Sequence, residues 1–71
     1  MAHVIAAELV GTVLNVVVAE GEKVAVGDTI VLLESMKMEI PVLTEFAGVV
    51  KDVAVHAGDN VQEGDVLAVV E

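Results

Sequence analysis

Runs of valine, isoleucine and leucine, a few residues each, alternate along this chain with glycine–aspartate pairs. Branched side chains favour the half-buried surface of a pleated sheet, and glycine and aspartate favour the turns between strands. The pattern predicts strands near His3–Ala7, Gly11–Val18, Thr29–Ser35, Met38–Thr44, Gly48–Val55 and Val66–Val70, with short extended pieces at Lys23–Val24 and Asn60–Val61. Turns are predicted at 19–22, 26–28, 46–48, 57–59 and 63–65. No amphipathic helix of useful length is written into the spacing. Between Gly21 and Asp28, and again between Gly58 and Asp65, two tight turns bracket a strand whose one valine (Val24 or Val61) should point inward. The glycines of these segments match no phosphate-loop pattern, so a backbone role is expected for all four.

The chain also resembles itself. Shifted by 37 positions, Glu8–Glu34 falls on Glu45–Glu71, and ten of those 27 positions are identical, among them Gly11/Gly48, Val24/Val61, Asp28/Asp65 and Glu34/Glu71. A chain this rich in valine would give roughly three matches by chance, so the duplication is genuine. Neither half has enough strands to bury both of its faces. The expected architecture is one all-β domain over residues 1–71, a flattened barrel of two antiparallel sheets with quasi-twofold symmetry. The linking turn should stand at one end and both termini at the other.

Composition narrows the possibilities. Seventy-one residues lie near the lower limit for an independent core, and 56% of them are hydrophobic, with Phe46 the one aromatic among Phe, Tyr and Trp. Cysteine is absent, so neither a disulfide framework nor a thiolate metal site is available. Three lysines against twelve acids give a formal charge of −9. Such a surface repels nucleic acid and anionic lipid and favours partners with basic docking faces. No apolar run approaches the roughly 18 residues of a membrane span, and the N-terminus does not read as a signal peptide. A soluble cytoplasmic protein, monomeric when isolated, is expected.

One lysine occupies a special place. Lys37 lies in Glu34-Ser35-Met36-Lys37-Met38-Glu39, at the middle of the repeat, where the strand patterns on either side leave Met36-Lys37 as a two-residue connection. Connections this tight favour Asn-Gly, because their backbones need positive φ. Met-Lys breaks that rule, a sign that function sets the sequence there. A tip lysine on a stiff hairpin is an exposed amine at a fixed position, open to modification by another enzyme. Met38 shares an alternation with Ile40 and Val42 and could fill part of the core. Both methionines cannot enter one core, so at least one should show soft apolar surface beside Lys37. Lys23 and Lys51 read as solvated charges. His3 and His56 have no ligand pattern around them, no metal site is expected, and no pair of carboxylates calls for acid–base chemistry. Pro41 fits an outward or edge position, and Phe46 should plug the core near the far turn.

Glu-Ser-Met-Lys-Met resembles the Glu-Ala-Met-Lys-Met box of biotinyl domains, the biotin carboxyl carrier modules of biotin-dependent carboxylases. Paired glycines and the distal Gly11 and Gly48 extend the likeness to the wider biotinyl/lipoyl-attachment family, over roughly Val4 to Val70. That resemblance implies an eight-stranded barrel-sandwich with the target lysine at a β-hairpin tip. It implies that biotin protein ligase joins biotin to Lys37 through an amide, and that Met36, Met38, Glu34 and Ser35 serve recognition. It further implies a carrier of carboxylate between biotin carboxylase and carboxyltransferase subunits, not a catalyst. An exposed lysine amine is protonated at neutral pH, so the ligase must deprotonate it. Amide formation takes the formal charge from −9 to −10. Related lipoyl domains usually carry an acidic residue before the lysine, so Met-Lys-Met points to biotin. Ala7-Glu8-Leu9-Val10-Gly11 lacks both prolines of the Ala-Pro-Met-Pro-Gly often found in large carboxylases, and the chain has no room for a protruding thumb. Its length and Met1 are similar to those of small free-standing biotinylated proteins. A lipoyl carrier, and an unmodified acidic barrel that docks on a basic enzyme, are the alternatives.

Overall fold

Alternation sends every second side chain of a strand to the same face, and here two such apolar faces close on each other. The computed structural model describes residues 2–71; Met1, part of the likeness to free-standing proteins, lies outside the described residues. Eight strands follow in order: β1 (His3–Ala6), β2 (Gly11–Val16), β3 (Lys23–Val24), β4 (Thr29–Ser35), β5 (Met38–Leu43), β6 (Gly48–Val53), β7 (Asn60–Val61) and β8 (Val66–Val70). They form two four-stranded antiparallel sheets, ordered β1-β8-β6-β3 and β5-β4-β2-β7. No helix occurs among the described residues.

The duplication in sequence is a duplication in space. Six core residues of the first half, Val13, Val18, Val24, Ile30, Val31 and Leu33, are buried, and so are their six counterparts, Val50, Val55, Val61, Leu67, Ala68 and Val70. Each large apolar side chain withdrawn from water contributes about 1.5–3 kcal/mol before ordering costs are subtracted. The backbone repeats itself too. Gly21 N–H donates to the Val50 carbonyl at 2.8 Å, and Gly58 N–H donates to the Val13 carbonyl at 2.7 Å. Both bonds cross from one half to the other. The short strands β3 and β7 are thereby exchanged between halves, and the core is shared by both.

Four of the predicted strands run one or two residues too long, and their ends share one cause. After Val16 and Val53 the chain leaves its ladder to cross between the sheets. Val17 N–H still reaches Ile30 and Ala54 N–H still reaches Leu67, each at 2.9 Å, while Val18 and Val55 stay buried as plugs. Ala7 and Thr44, equivalent by the repeat, likewise follow the ends of β1 and β5 and are buried. The Thr44 hydroxyl donates to the Phe46 carbonyl at 2.7 Å and accepts from the Phe46 N–H at 3.0 Å, which satisfies it in the core. Phe46 is a half-buried lid packed on the core, with its ring stacked on His3 at 3.8 Å, rather than a deep plug.

The Gly-Asp pairs have a physical role. Asp28 Oδ2 accepts Ala25 N–H at 2.8 Å, and Asp65 Oδ2 accepts Gln62 N–H at 2.9 Å, tying each turn with a charge-assisted bond. Gly27 and Gly64 precede them with φ of 94° and 93°, a region L-residues avoid. Pro41 is exposed on β5, an edge strand, where its missing N–H costs no ladder bond, and its peptide bond is trans. The quasi-twofold carries Glu34 at the β4–β5 turn onto Glu71 at the end of β8. Residues Val16–Ala19 and Val53–Ala57 meet midway, lining one shallow depression. The β4–β5 turn and the paired start of β1 and end of β8 therefore occupy opposite poles of a body 32 × 17 × 17 Å.

Candidate functional site

At the β4–β5 pole, the ladder pairs Val31 with Val42, Leu33 with Ile40 and Ser35 with Met38, leaving only Met36 and Lys37 in the loop. Their φ angles, 54° and 64°, are both in the left-handed region, and they are the positive-φ residues other than glycine among those described. A right-handed strand twist needs this mirror-image turn, and Met-Lys accepts it at a cost of about 1–2 kcal/mol per residue. Seven residues of β4 and six of β5 hold the strained pair in place. The result is a stiff post with an outward amine. Lys37 is exposed, and neither the Lys51–Glu71 ion pair nor the 3.9 Å His56–Asp59 contact found among the described residues involves it.

Both methionines flank the amine in the open. Met36 is 86% exposed and Met38 59% exposed, so neither belongs to the core. The alternation of Met38 with Ile40 and Val42 is real, since those two are half-buried, but it outruns the core before it reaches the turn. Glu34 and Glu39 are exposed across the ladder from each other.

Two contacts brace the post. Ser35 Oγ donates to the Val10 carbonyl at 2.7 Å and ties the β1–β2 loop to the turn. The second depends on Gly11, where an added Cβ would lie 2.7 Å from the Glu34 carbonyl oxygen; only glycine lets β2 start this close to β4. Leu9, Val10, Thr12 and the turn itself then line a shallow groove of about 570 Å³ beside Lys37. Gly48 does the same at the other pole, where an added Cβ would lie 2.6 Å from the Glu71 carbonyl oxygen.

The poles differ in charge. Glu71 forms a 2.9 Å ion pair with Lys51, a bulge residue of β6. At the Lys37 pole the equivalent bulge residue is Leu14, 40% exposed, so Glu34 has no ion-pair partner among the described residues. Lys51 is thus paired, not merely solvated. Lys23 is exposed, and among the described residues no cluster of three or more His, Cys, Asp or Glu could hold a metal. The sequence offered no sign of the Ser35–Val10 tie, because its partners are 25 residues apart.

A family model described as Biotin-requiring enzyme, the biotin/lipoyl model, matches residues 2–70. The chain belongs to the biotin/lipoyl family. Among curated members, a biotinylated protein TB7.3 homolog of Mycolicibacterium smegmatis is 65% identical over 43 residues. That alignment covers 61% of this chain and 61% of the relative, less than two thirds of its length. Among solved structures, the Kluyveromyces lactis urea carboxylase matches all of this biotin/lipoyl chain with a TM-score of 0.94 at 32% identity, using 6% of its own chain. The lipoyl domain of the 2-oxoglutarate dehydrogenase complex from Azotobacter vinelandii matches 87% of the chain and 78% of itself, with a TM-score of 0.73 at 32% identity. The fold is therefore shared with a lipoyl domain as well as with part of a carboxylase, and it does not by itself distinguish biotin from lipoate.

Proposed function

We propose that this chain is a biotin carrier in which Lys37 is the amine that biotin protein ligase acylates. One observation carries the reading: Lys37 is exposed, at a two-residue turn whose left-handed backbone is strained yet held by full-length strands. The residues present fit the group, since an exposed amine with no ion-pair partner among the described residues is open to amide formation. Bound there, biotin supplies a ureido nitrogen able to accept and release carboxylate. The work of the chain is to hold the arm. The hairpin keeps its base at a fixed height, the Ser35–Val10 bond and the Gly11 contact stop the post from rocking, and the opposite pole lies clear of the partner. A tether on a rigid base holds its cargo at high effective concentration for two active sites, here those of biotin carboxylase and carboxyltransferase subunits.

Met36 and Met38 serve as apolar handles for the ligase and for carboxylase components. Glu34, which among the described residues lacks the ion pair of its counterpart, adds an acidic contact for a basic partner face, and Ser35 sets the orientation. A cytoplasmic monomer over 1–71 is consistent with the charge, size and lack of cysteine. The test uses the intact chain with biotin, ATP and biotin protein ligase. One biotin per chain is expected by mass, with none on Lys37→Arg; label on Lys23 or Lys51 would overturn the assignment.

The match to a lipoyl domain supports a second reading, in which the same lysine accepts lipoate. The methionine before Lys37, in place of an acidic residue, favours biotin. Parallel loading with a lipoate ligase, read by an anti-lipoyl blot, discriminates the two.

A further inference from the structure

The two methionines beside Lys37 have a chemistry of their own. They are sulfur atoms in a chain without cysteine, and their exposures of 86% and 59% leave them open to small oxidants. Met36 belongs to the two-residue loop itself, with a φ of 54°, beyond the last pair of the β4–β5 ladder. Core methionines resist oxidation because an oxidant must wait for local unfolding, and that protection is missing at both positions.

We propose that Met36 and Met38 form a reversible oxidation site that lowers the affinity of the tip for its partners. The oxidant is a hydroperoxide, ROOH. A thioether lone pair attacks the distal, hydroxyl-bearing peroxide oxygen, the S–O bond forms as the O–O bond breaks, and the proton of that oxygen passes to the departing RO⁻, which leaves as ROH. Sulfur loses two electrons and the peroxide gains them. Two thiol-based methionine sulfoxide reductases, one for each sulfoxide epimer, return the sulfur to thioether, releasing water as two thiols become a disulfide. The sulfoxide is polar where the thioether is apolar, so a docking surface that buries it must strip water from a strong acceptor. The strands, the turn and the amine of Lys37 are untouched.

The consequence for loading rests on the role of Lys37 proposed above; the oxidation does not. The experiment treats the intact, unloaded chain with hydrogen peroxide and follows each methionine by peptide mass spectrometry. Met36 and Met38 should each gain one oxygen at a rate within about threefold of free N-acetylmethionine amide, with Met36 the faster. Protection of both by tenfold or more would overturn the site. Biotin loading is then measured on reduced, oxidised and reductase-treated protein. The KM for the oxidised chain should rise roughly fourfold, the worth of one buried methylene, with kcat unchanged and full recovery after both reductases. The double variant Met36→Leu/Met38→Leu should keep its KM through the same peroxide treatment. An unchanged KM in oxidised wild-type protein, or an equal rise in the Leu variant, would overturn the coupling. If even reduced wild-type protein takes no biotin, the carrier assignment fails while the oxidation kinetics still decide the site.

Discussion

Gly11 and Gly48 are the same residue of the repeat placed at opposite poles, and replacing each by alanine separates support of the fold from support of the post. A Cβ on Gly11 would start 2.7 Å from the Glu34 carbonyl oxygen, and one on Gly48 would start 2.6 Å from the Glu71 carbonyl oxygen. Ordinary contact begins near 3.4 Å, so either alanine must push two backbones apart by several tenths of an ångström. Such overpacking costs about 2 kcal/mol. In a domain of this size that lowers the melting temperature by on the order of 10 °C. Far-UV circular dichroism is the suitable probe, because the chain has no tryptophan or tyrosine. The two variants should diverge in loading. Gly11→Ala displaces Glu34, three residues from Lys37, and strains the Ser35–Val10 tie; initial biotin incorporation, measured well below the melting temperature, should fall on the order of tenfold. Gly48→Ala moves the far pole and should load like wild type. Equal loading losses in the two variants would refute the claim that the Gly11 contact positions the lysine, and a wild-type melting temperature in either would refute the packing argument.

Other outcomes follow from the same structure. Met36→Asn with Lys37→Gly supplies the residues that a left-handed two-residue turn favours; urea denaturation should show a gain of about 1–2 kcal/mol alongside complete loss of biotin loading. Thr44→Val removes both hydrogen bonds to Phe46 inside the core, and chemical unfolding should register a loss of about 2 kcal/mol. The hydrogen bond and charge of Lys51 lower the Glu71 pKa, and those of Glu71 raise the Lys51 pKa. The contribution of Glu71 is present above the ordinary carboxylate range and lost as acid takes the pH down through its lowered folded value. That of Lys51 is present below the ordinary lysine range and lost as the pH rises through its raised value. The melting-temperature gap between wild type and Lys51→Met should therefore be largest near neutral pH, and small, since the pair lies on the surface in contact with solvent; a gap that widens toward acid would contradict this.

The strands, their succession along the chain and the place of the lysine could all be read from local pattern. Branched residues at period two and Gly-Asp turns act locally, and the 37-residue repeat states the symmetry outright, so all eight strands and the two-residue loop were legible. Exposure of one flanking methionine followed from geometry at a tight turn. Only the tertiary structure decided that both methionines lie in solvent, because where the core ends along a hairpin depends on what the facing sheet covers. It alone showed β3 and β7 exchanged between halves, Ser35 bonded to Val10, Lys51 paired with Glu71, and His3 stacked on Phe46. These pairings join residues far apart in the chain, and no local period encodes which distant neighbours meet. What the repeat made equal, packing made different, and the difference marks the pole that carries Lys37.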